Sequence, residues 1–418
     1  MVLFSKQLKY YLLYLKVFLE KKMKKKLFAS AMFIAGTSVG AGMLALPIKT
    51  YQIGFLPSLA AMLFIWSIML ASAFFMLEAT LTQPKGSNLA TIAQAAYGKY
   101  GKYIITLLYL ALLYSLNAAY IASLNKIILS YFANKTVGAI ISLSLFIGFL
   151  MFIFYGIKHM AAINKTLVLA LGLIYILAML QLSNDVSFSL LSHIDQGFLE
   201  PLPIITTAFG YQIIIPSIAD YCERNVTTIK QSIWIGSLIP LLIYIIWQIC
   251  TLGVLPIDSA NGLQAISQSD NPVVFLTASL KTHAYLIDFQ ELIKNFTTLA
   301  VATSFIGVSV SLFDFCKDSF KTKQHNKSLM NSLVLIFTFL PSIISSFYFP
   351  KIFISALEYG GILVAILLGL MPAILAIKLR SIKSTQHLWK IPNSNIWIIW
   401  IICGIIIILT NPLITIFS

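Results

Sequence analysis

The chain has 418 residues, of which 59% are hydrophobic and only 10% charged. A soluble domain carries about 25% charged residues, so this composition excludes an ordinary water-soluble globule and points to a polytopic membrane protein. The net charge of +15 would suit nucleic acid in a soluble protein. Here the basic residues lie between apolar runs, where they set orientation in a lipid bilayer, and no nucleic-acid partner is expected.

In residues 1–26, Leu3, Phe4, Leu8, Tyr11, Leu12, Leu15, Phe18 and Leu19 recur at helical spacing, with Lys6, Lys9 and Lys16 between them. That pattern reads as a basic amphipathic helix on an anionic membrane surface. Met23, followed by three lysines, reads equally as a natural start, so Met1 and Met23 are both candidate first residues. Residues 27–418 read as one transmembrane domain. It holds eleven apolar segments, at about 27–50, 54–80, 103–125, 136–157, 163–183, 201–220, 230–254, 286–315, 329–349, 351–377 and 394–416. The expected fold is all-α, with a five-plus-five inverted repeat and an eleventh span.

Orientation follows from the basic residues. With the N-terminus inside, outer segments hold only Lys49, Lys126, Lys135, Lys281, Lys294 and Lys351 of the 29 lysines and arginines. The expectation is a cytoplasmic N-terminus and a periplasmic C-terminus. Two pieces read as interfacial helices: 86–97 on the inner surface, capped by Ser87 or Asn88, and 272–283 on the outer surface. Each suits either a gate or a plain interfacial helix. The four cysteines and five histidines form no metal-ligand or disulfide pattern, so no cofactor is expected.

The first apolar segment is interrupted at residues 35–47, Ala-Gly-Thr-Ser-Val-Gly-Ala-Gly-Met-Leu-Ala-Leu-Pro. Glycine and proline weaken a helix, and a break at membrane depth is tolerated where it is packed in protein or lines a cavity. Three other readings compete. Gly36 and Gly40 match a helix-packing motif, Ser38 sits in the G-x-S-x-G of a nucleophile elbow, and residues 21–35 resemble a secretory signal. Ten further spans dispose of the signal. A serine nucleophile needs a histidine in reach, and His159, His193, His283, His325 and His387 all read as loop or membrane edge.

The sixth segment repeats the interruption: Thr206-Thr-Ala-Phe-Gly-Tyr-Gln-Ile-Ile-Ile-Pro216. Breaks at matching positions of two five-span halves point to an inverted-repeat transporter with its site at the midplane. A half-helix starting near Ala41 and Gly42 offers N–H groups and positive dipole to a carboxylate. Carbonyls around Gly36, Thr37, Ser38 and Gly40, and around Ala208 and Gly210, can accept from an ammonium group. Phe209, Tyr211 and Gln212 would form the side-chain wall, with Phe209 also a candidate lid. The ligand these groups describe is an amino acid.

With both interruptions in view, the chain resembles the hydroxy/aromatic amino acid permease family of the amino acid–polyamine–organocation superfamily. The matching text is Ile34-Ala-Gly-Thr-Ser-Val-Gly-Ala-Gly-Met-Leu-Ala-Leu-Pro47, then Gly54-Phe55, Leu77-Glu78 and Phe209-Gly-Tyr-Gln-Ile-Ile-Ile-Pro-Ser-Ile218. The resemblance covers about 27–417 and looks closest to the tyrosine-specific branch. It implies eleven spans and proton-driven uptake of an aromatic amino acid across a bacterial inner membrane. Tryptophan or a small hydroxy amino acid is the alternative cargo, and a membrane hydrolase using Ser38 the alternative class. Some relatives carry a basic residue midway along the fifth span; here 167–175 has no charge, and Lys165 lies near its inner end.

Glu78 and Glu358 are the acids expected within spans, where buried carboxylates are costly and functional by default. Each is a candidate proton carrier. Glu78 alternatively serves as a structural partner, for a lysine, near the inner interface. Thr303 and Ser304 on the eighth span are placed to face the first break; in sodium-coupled relatives of the superfamily such hydroxyls complete an ion site. Their alternative is hydrogen bonding within their own helix. Tyr114, Asn117 and Tyr120 are path-lining candidates, and Asp220, Glu223 and Arg224 suggest an inner turn or gate.

Overall fold

The computed structural model describes residues 23–132, 134–155, 157–195, 197–269, 272–280, 289–319, 327–348, 352–382 and 389–417. The amphipathic reading of 1–26 falls largely outside the described residues, as does the end of the outer segment 272–283.

Helix α1 (Met23–Ser38) is followed by α2 (Ala41–Thr50), with axes bent by 47° at the break. After α3 (Phe55–Leu81), α4 (Leu89–Leu129) runs an interfacial piece into a span. Its kink is at Gly98, whose φ of 70° and ψ of −157° suit a residue without Cβ. The start of α4 is fixed by a reciprocal cap. Asn88 Oδ1 accepts from the Thr91 N–H at 3.0 Å, and Thr91 Oγ1 accepts from the Asn88 N–H at 2.8 Å. Of the two expected caps, Asn88 is the one used.

Next come α5 (Lys135–Tyr155), α6 (Ile157–Leu182) and the short α7 (Phe188–Leu191). The second break separates α8 (Leu202–Ala208) from α9 (Ile215–Tyr221), with a tight 3-10 turn at Tyr211–Ile214 between them. Then follow α10 (Val226–Val254), α11 (Leu263–Gln268), α12 (Pro272–Leu280), α13 (Phe289–Ser319) and α14 (Lys327–Tyr348). A π-helical segment, Ala365–Leu370, joins α15 (Ile352–Val364) to α16 (Met371–Ile382), and α17 (Ser394–Phe417) ends the chain.

Among the described residues, seven helices are long and apolar enough to cross a bilayer, or eight with the bent pair α1–α2 as one. Three more apolar stretches, Thr136–Phe146, Leu333–Ser346 and Ser394–Thr410, lie within the longer helices α5, α14 and α17.

The helices pack in matching pairs. α4 lies on α15 and α13 lies on α6; α4 also touches α5, as α13 touches α14. Likewise α3 packs on α8, and α10 on α2. Exchanging the first five spans for the second five turns each of these contacts into its counterpart, as an inverted repeat requires. Close approach relies on glycine, because lipid gives helices little hydrophobic reason to associate. A Cβ on Gly361 would collide with the Pro203 carbonyl, and one on Gly236 would stand 2.6 Å from the Ile34 Cβ. The largest fully buried side chains include Trp247, Tyr211, Tyr244, Phe75, Phe209 and Phe296, so the tightest core surrounds the two breaks.

Candidate functional site

At the first break, the Val39 N–H closes α1 on the Ala35 carbonyl at 2.7 Å, and the Met43 N–H reaches the Gly40 carbonyl at 3.1 Å. Gly40 stands at the head of α2, which has no side-chain cap. Its first N–H groups, from Ala41 onward, are therefore a positive end available to an anion. The small residues are there for fit. A Cβ on Gly36 would press on Val168 at 2.6 Å, and one on Gly42 would meet the Ala208 Cα at 3.3 Å. A Cβ on Gly40 would collide with Ser304 Oγ and stand 3.0 Å from the Ala300 carbonyl. Thr37 is turned inward on its own helix, donating to the Phe33 carbonyl at 2.7 Å.

At the second break the N–H groups of Phe209, Gly210 and Tyr211 turn back to the carbonyls of Thr206, Thr207 and Phe209. The Ala208 carbonyl is passed over. Gly210 packs on Val364, just before the π-helical segment. Phe209, Tyr211 and Gln212 are all fully buried. Gln212 donates to the Met69 carbonyl at 2.9 Å.

A residue that sequence reasoning missed joins the two breaks. The Tyr244 hydroxyl lies 2.6 Å from the Ser38 carbonyl oxygen and 2.9 Å from that of Ala208. Tyr244 sits midway along α10, and its ring meets Phe209 edge-on at 5.2 Å. Only its helical neighbours are visible in the sequence, where it reads as one more aromatic in an apolar span. Nearby, Tyr120 of α4 is hydrogen-bonded to Ser304, which brings one of the path candidates to the first break. Asn117 accepts from Ser309 at 2.8 Å, and Tyr114 donates to the Phe337 carbonyl.

Among the described residues, three buried polar atoms at the breaks have no hydrogen-bond partner: the hydroxyls of Ser38 and Tyr211 and the Oε1 of Gln212. Orphaned polar atoms are rare in protein interiors and costly away from water.

Of the two hydroxyls expected at the first break, only Ser304 faces it. Thr303 donates to the Ala300 carbonyl of its own helix at 3.0 Å. The two acids lie elsewhere. Glu78, 3% exposed, is held on both oxygens by Arg380 of α16, at 2.5 and 2.8 Å. It accepts a third bond from the Ile391 N–H at 3.0 Å. Its partner is thus an arginine, not a lysine. Glu358 of α15 pairs with Lys49 at the end of α2, at 2.6 Å.

The turn after α9 forms a latch. Glu223 and Arg224 both adopt positive φ, 52° and 61°, which is uncommon outside glycine. The Arg224 guanidinium donates to the Gln83 carbonyl at 2.6 Å and reaches Asp220 Oδ1 at 3.4 Å. Asp220 Oδ2 accepts the Gly86 N–H at 2.6 Å, and Lys26 of α1 bonds Glu223 at 2.7 Å. The latch therefore holds α1, the end of α3 and α9 together.

Residues 23–411 match the tryptophan/tyrosine permease family. The tyrosine-specific transport system 2 of Haemophilus influenzae is 31% identical over 406 residues, which span 93% of this chain and 96% of that protein. The tryptophan-specific transport protein of the same organism is also 31% identical, over 90% of this chain and 93% of its own. Among solved structures, a manganese transporter of Eremococcus coleocola superposes with a TM-score of 0.57 at 15% identity, covering 92% of both chains. That likeness concerns the fold.

Proposed function

Because the chain belongs to the tryptophan/tyrosine permease family, we propose that it is a secondary transporter importing an aromatic amino acid, tyrosine foremost, by proton symport. The membrane would be a bacterial inner membrane, with the N-terminus cytoplasmic and the C-terminus periplasmic. One observation carries the reading: each break contributes a buried polar atom that has no partner among the described residues, Ser38 Oγ and Gln212 Oε1. A polar ligand between the half-helices would satisfy both. The uncapped start of α2 supplies N–H groups for the carboxylate. Phe209, packed against Tyr244, is the natural aromatic wall for an aromatic side chain.

The test is uptake of labelled tyrosine into vesicles, with excess tryptophan, phenylalanine, serine or leucine as competitors. Tyrosine and tryptophan should compete strongly and serine and leucine weakly; strong competition by serine would move the cargo to the small hydroxy amino acids. Sodium coupling is the second reading, and one observation favours it. Gly40 lies directly against Ser304 Oγ and the Ala300 carbonyl, oxygen ligands of the kind a hard cation takes. Uptake that followed a sodium gradient and ignored an imposed pH gradient would select that reading over protons.

A further inference from the structure

Tyr244 offers one proton to two carbonyl oxygens, Ser38 at 2.6 Å and Ala208 at 2.9 Å. Both carbonyls end half-helices, where no continuing turn supplies a donor. Each has two lone pairs, and the phenolic oxygen can itself accept. Three oxygens therefore share a single hydrogen, and all three belong to buried residues. A surplus of buried acceptors calls for a group rich in donors and poor in acceptors.

We propose that the Tyr244 hydroxyl is the third oxygen of an ammonium cradle, and that it determines selectivity for ligands with a primary amine. The assignment rests on the transport reading above and deepens it. An R-NH₃⁺ group has three N–H donors and no acceptor, which matches one donor each to Ser38 O, Ala208 O and Tyr244 Oη. The hydroxyl proton rotates to whichever carbonyl the ammonium leaves freest. Phe209, edge-on to the Tyr244 ring at 5.2 Å, holds the phenol in line. Tyr244 also couples the breaks: a ligand bound there engages both half-helix ends through one side chain of α10.

The experiment compares the full-length protein with Tyr244→Phe in proteoliposomes. It measures uptake of labelled L-tyrosine and competition by unlabelled L-tyrosine or 3-(4-hydroxyphenyl)propanoate, which lacks only the amine. L-tryptophan and its amine-free analogue are run in parallel. Tyr244→Phe should raise KM for the amino acid about tenfold, the effect of losing one hydrogen bond to a charged group. Vmax should stay within about twofold, and the advantage of the amino acid over its amine-free analogue should shrink by the KM factor. An unchanged KM overturns the proposal, and so does equal weakening of both competitors, which is the mark of general loosening. Sodium-dependent affinity in the unaltered protein that vanishes in Tyr244→Phe would assign the cradle to a bare cation instead. Should Tyr244→Phe fail to insert, 4-aminophenylalanine at position 244 keeps the ring and exchanges the acceptor for a donor. It must then show the same selective loss. If the unaltered protein takes up no aromatic amino acid at all, the transport reading itself falls, and the cradle with it.

Discussion

Gly42 of α2 and Ala208 of α8 meet almost backbone to backbone, a Cβ on the glycine standing only 3.3 Å from the alanine Cα. Valine at that position adds three carbons where one is already tight, and overpacking costs about 1–3 kcal/mol. Gly42→Val should insert in the membrane yet lose uptake, since it forces apart the two half-helices that build the site. Membrane yield and tyrosine uptake, measured on the same preparation, check this; normal transport by the inserted variant would sink the site assignment.

Much of this site was legible beforehand, because breaks in membrane helices are written in glycine and proline. Gly36, Gly40, Gly42 and Gly210 mark the interruptions, and the reciprocal cap at Asn88 follows from local sequence. What the chain hides is pairing across long separations. Tyr244 is 206 residues from Ser38, and nothing in its helical neighbourhood distinguishes it from the other aromatics of its span. Thr303 and Ser304 look equivalent in sequence, but adjacent residues point about 100° apart on a helix, so only one faces Gly40. The π-helical turn at Ala365–Leu370 has no sequence mark either. It is shaped by its neighbours, including Ser72, whose hydroxyl donates to the Leu368 carbonyl.

Glu78 is bonded to Arg380 and the Ile391 N–H on every side, the arrangement of a structural anchor. Glu78→Ala leaves the Arg380 guanidinium without its carboxylate, with the Ser394 hydroxyl still bonded to it, and should destabilise by about 3–5 kcal/mol. Glu78→Leu combined with Arg380→Leu should recover most of that loss. Thermal melting in detergent measures both. A stable Glu78→Ala variant whose uptake no longer responds to a pH gradient would return Glu78 to the role of proton carrier.

Arg224 ties α9 to the end of α3 through the Gln83 carbonyl, and Cys222 lies buried two residues away with Ser30 Oγ 3.3 Å from its sulfur. Arg224→Ala removes a charged hydrogen bond, worth about 1.5–3 kcal/mol. Alkylation of Cys222 by a membrane-impermeant maleimide should then accelerate by at least about tenfold, the factor corresponding to 1.4 kcal/mol. An unchanged rate would mean that the latch does not govern access to this end of α1.

Lys49 and Glu358 clamp α2 to α15 at the other end of the molecule, and both are partly exposed. Such a pair contributes no more than about 1 kcal/mol to stability, so its effect should appear in rates. Lys49→Glu should leave the melting temperature nearly unchanged while altering the uptake rate, and adding Glu358→Lys should restore it. Failure of the double exchange to restore the rate would argue against a clamp.

The Glu78–Arg380 pair also has a consequence for how the protein is made. Its members are 302 residues apart, and a ribosome adds about 5–20 residues per second. The carboxyl of Glu78 thus enters the bilayer roughly 15–60 s before its partner exists. Until α16 is synthesised, Glu78 of the newborn α3 has no guanidinium to hold it. Closure of the pair then records that the tenth span has arrived. A chain halted short of Arg380 would display an unsatisfied acid at membrane depth, a mark by which quality control can tell an unfinished molecule from a complete one.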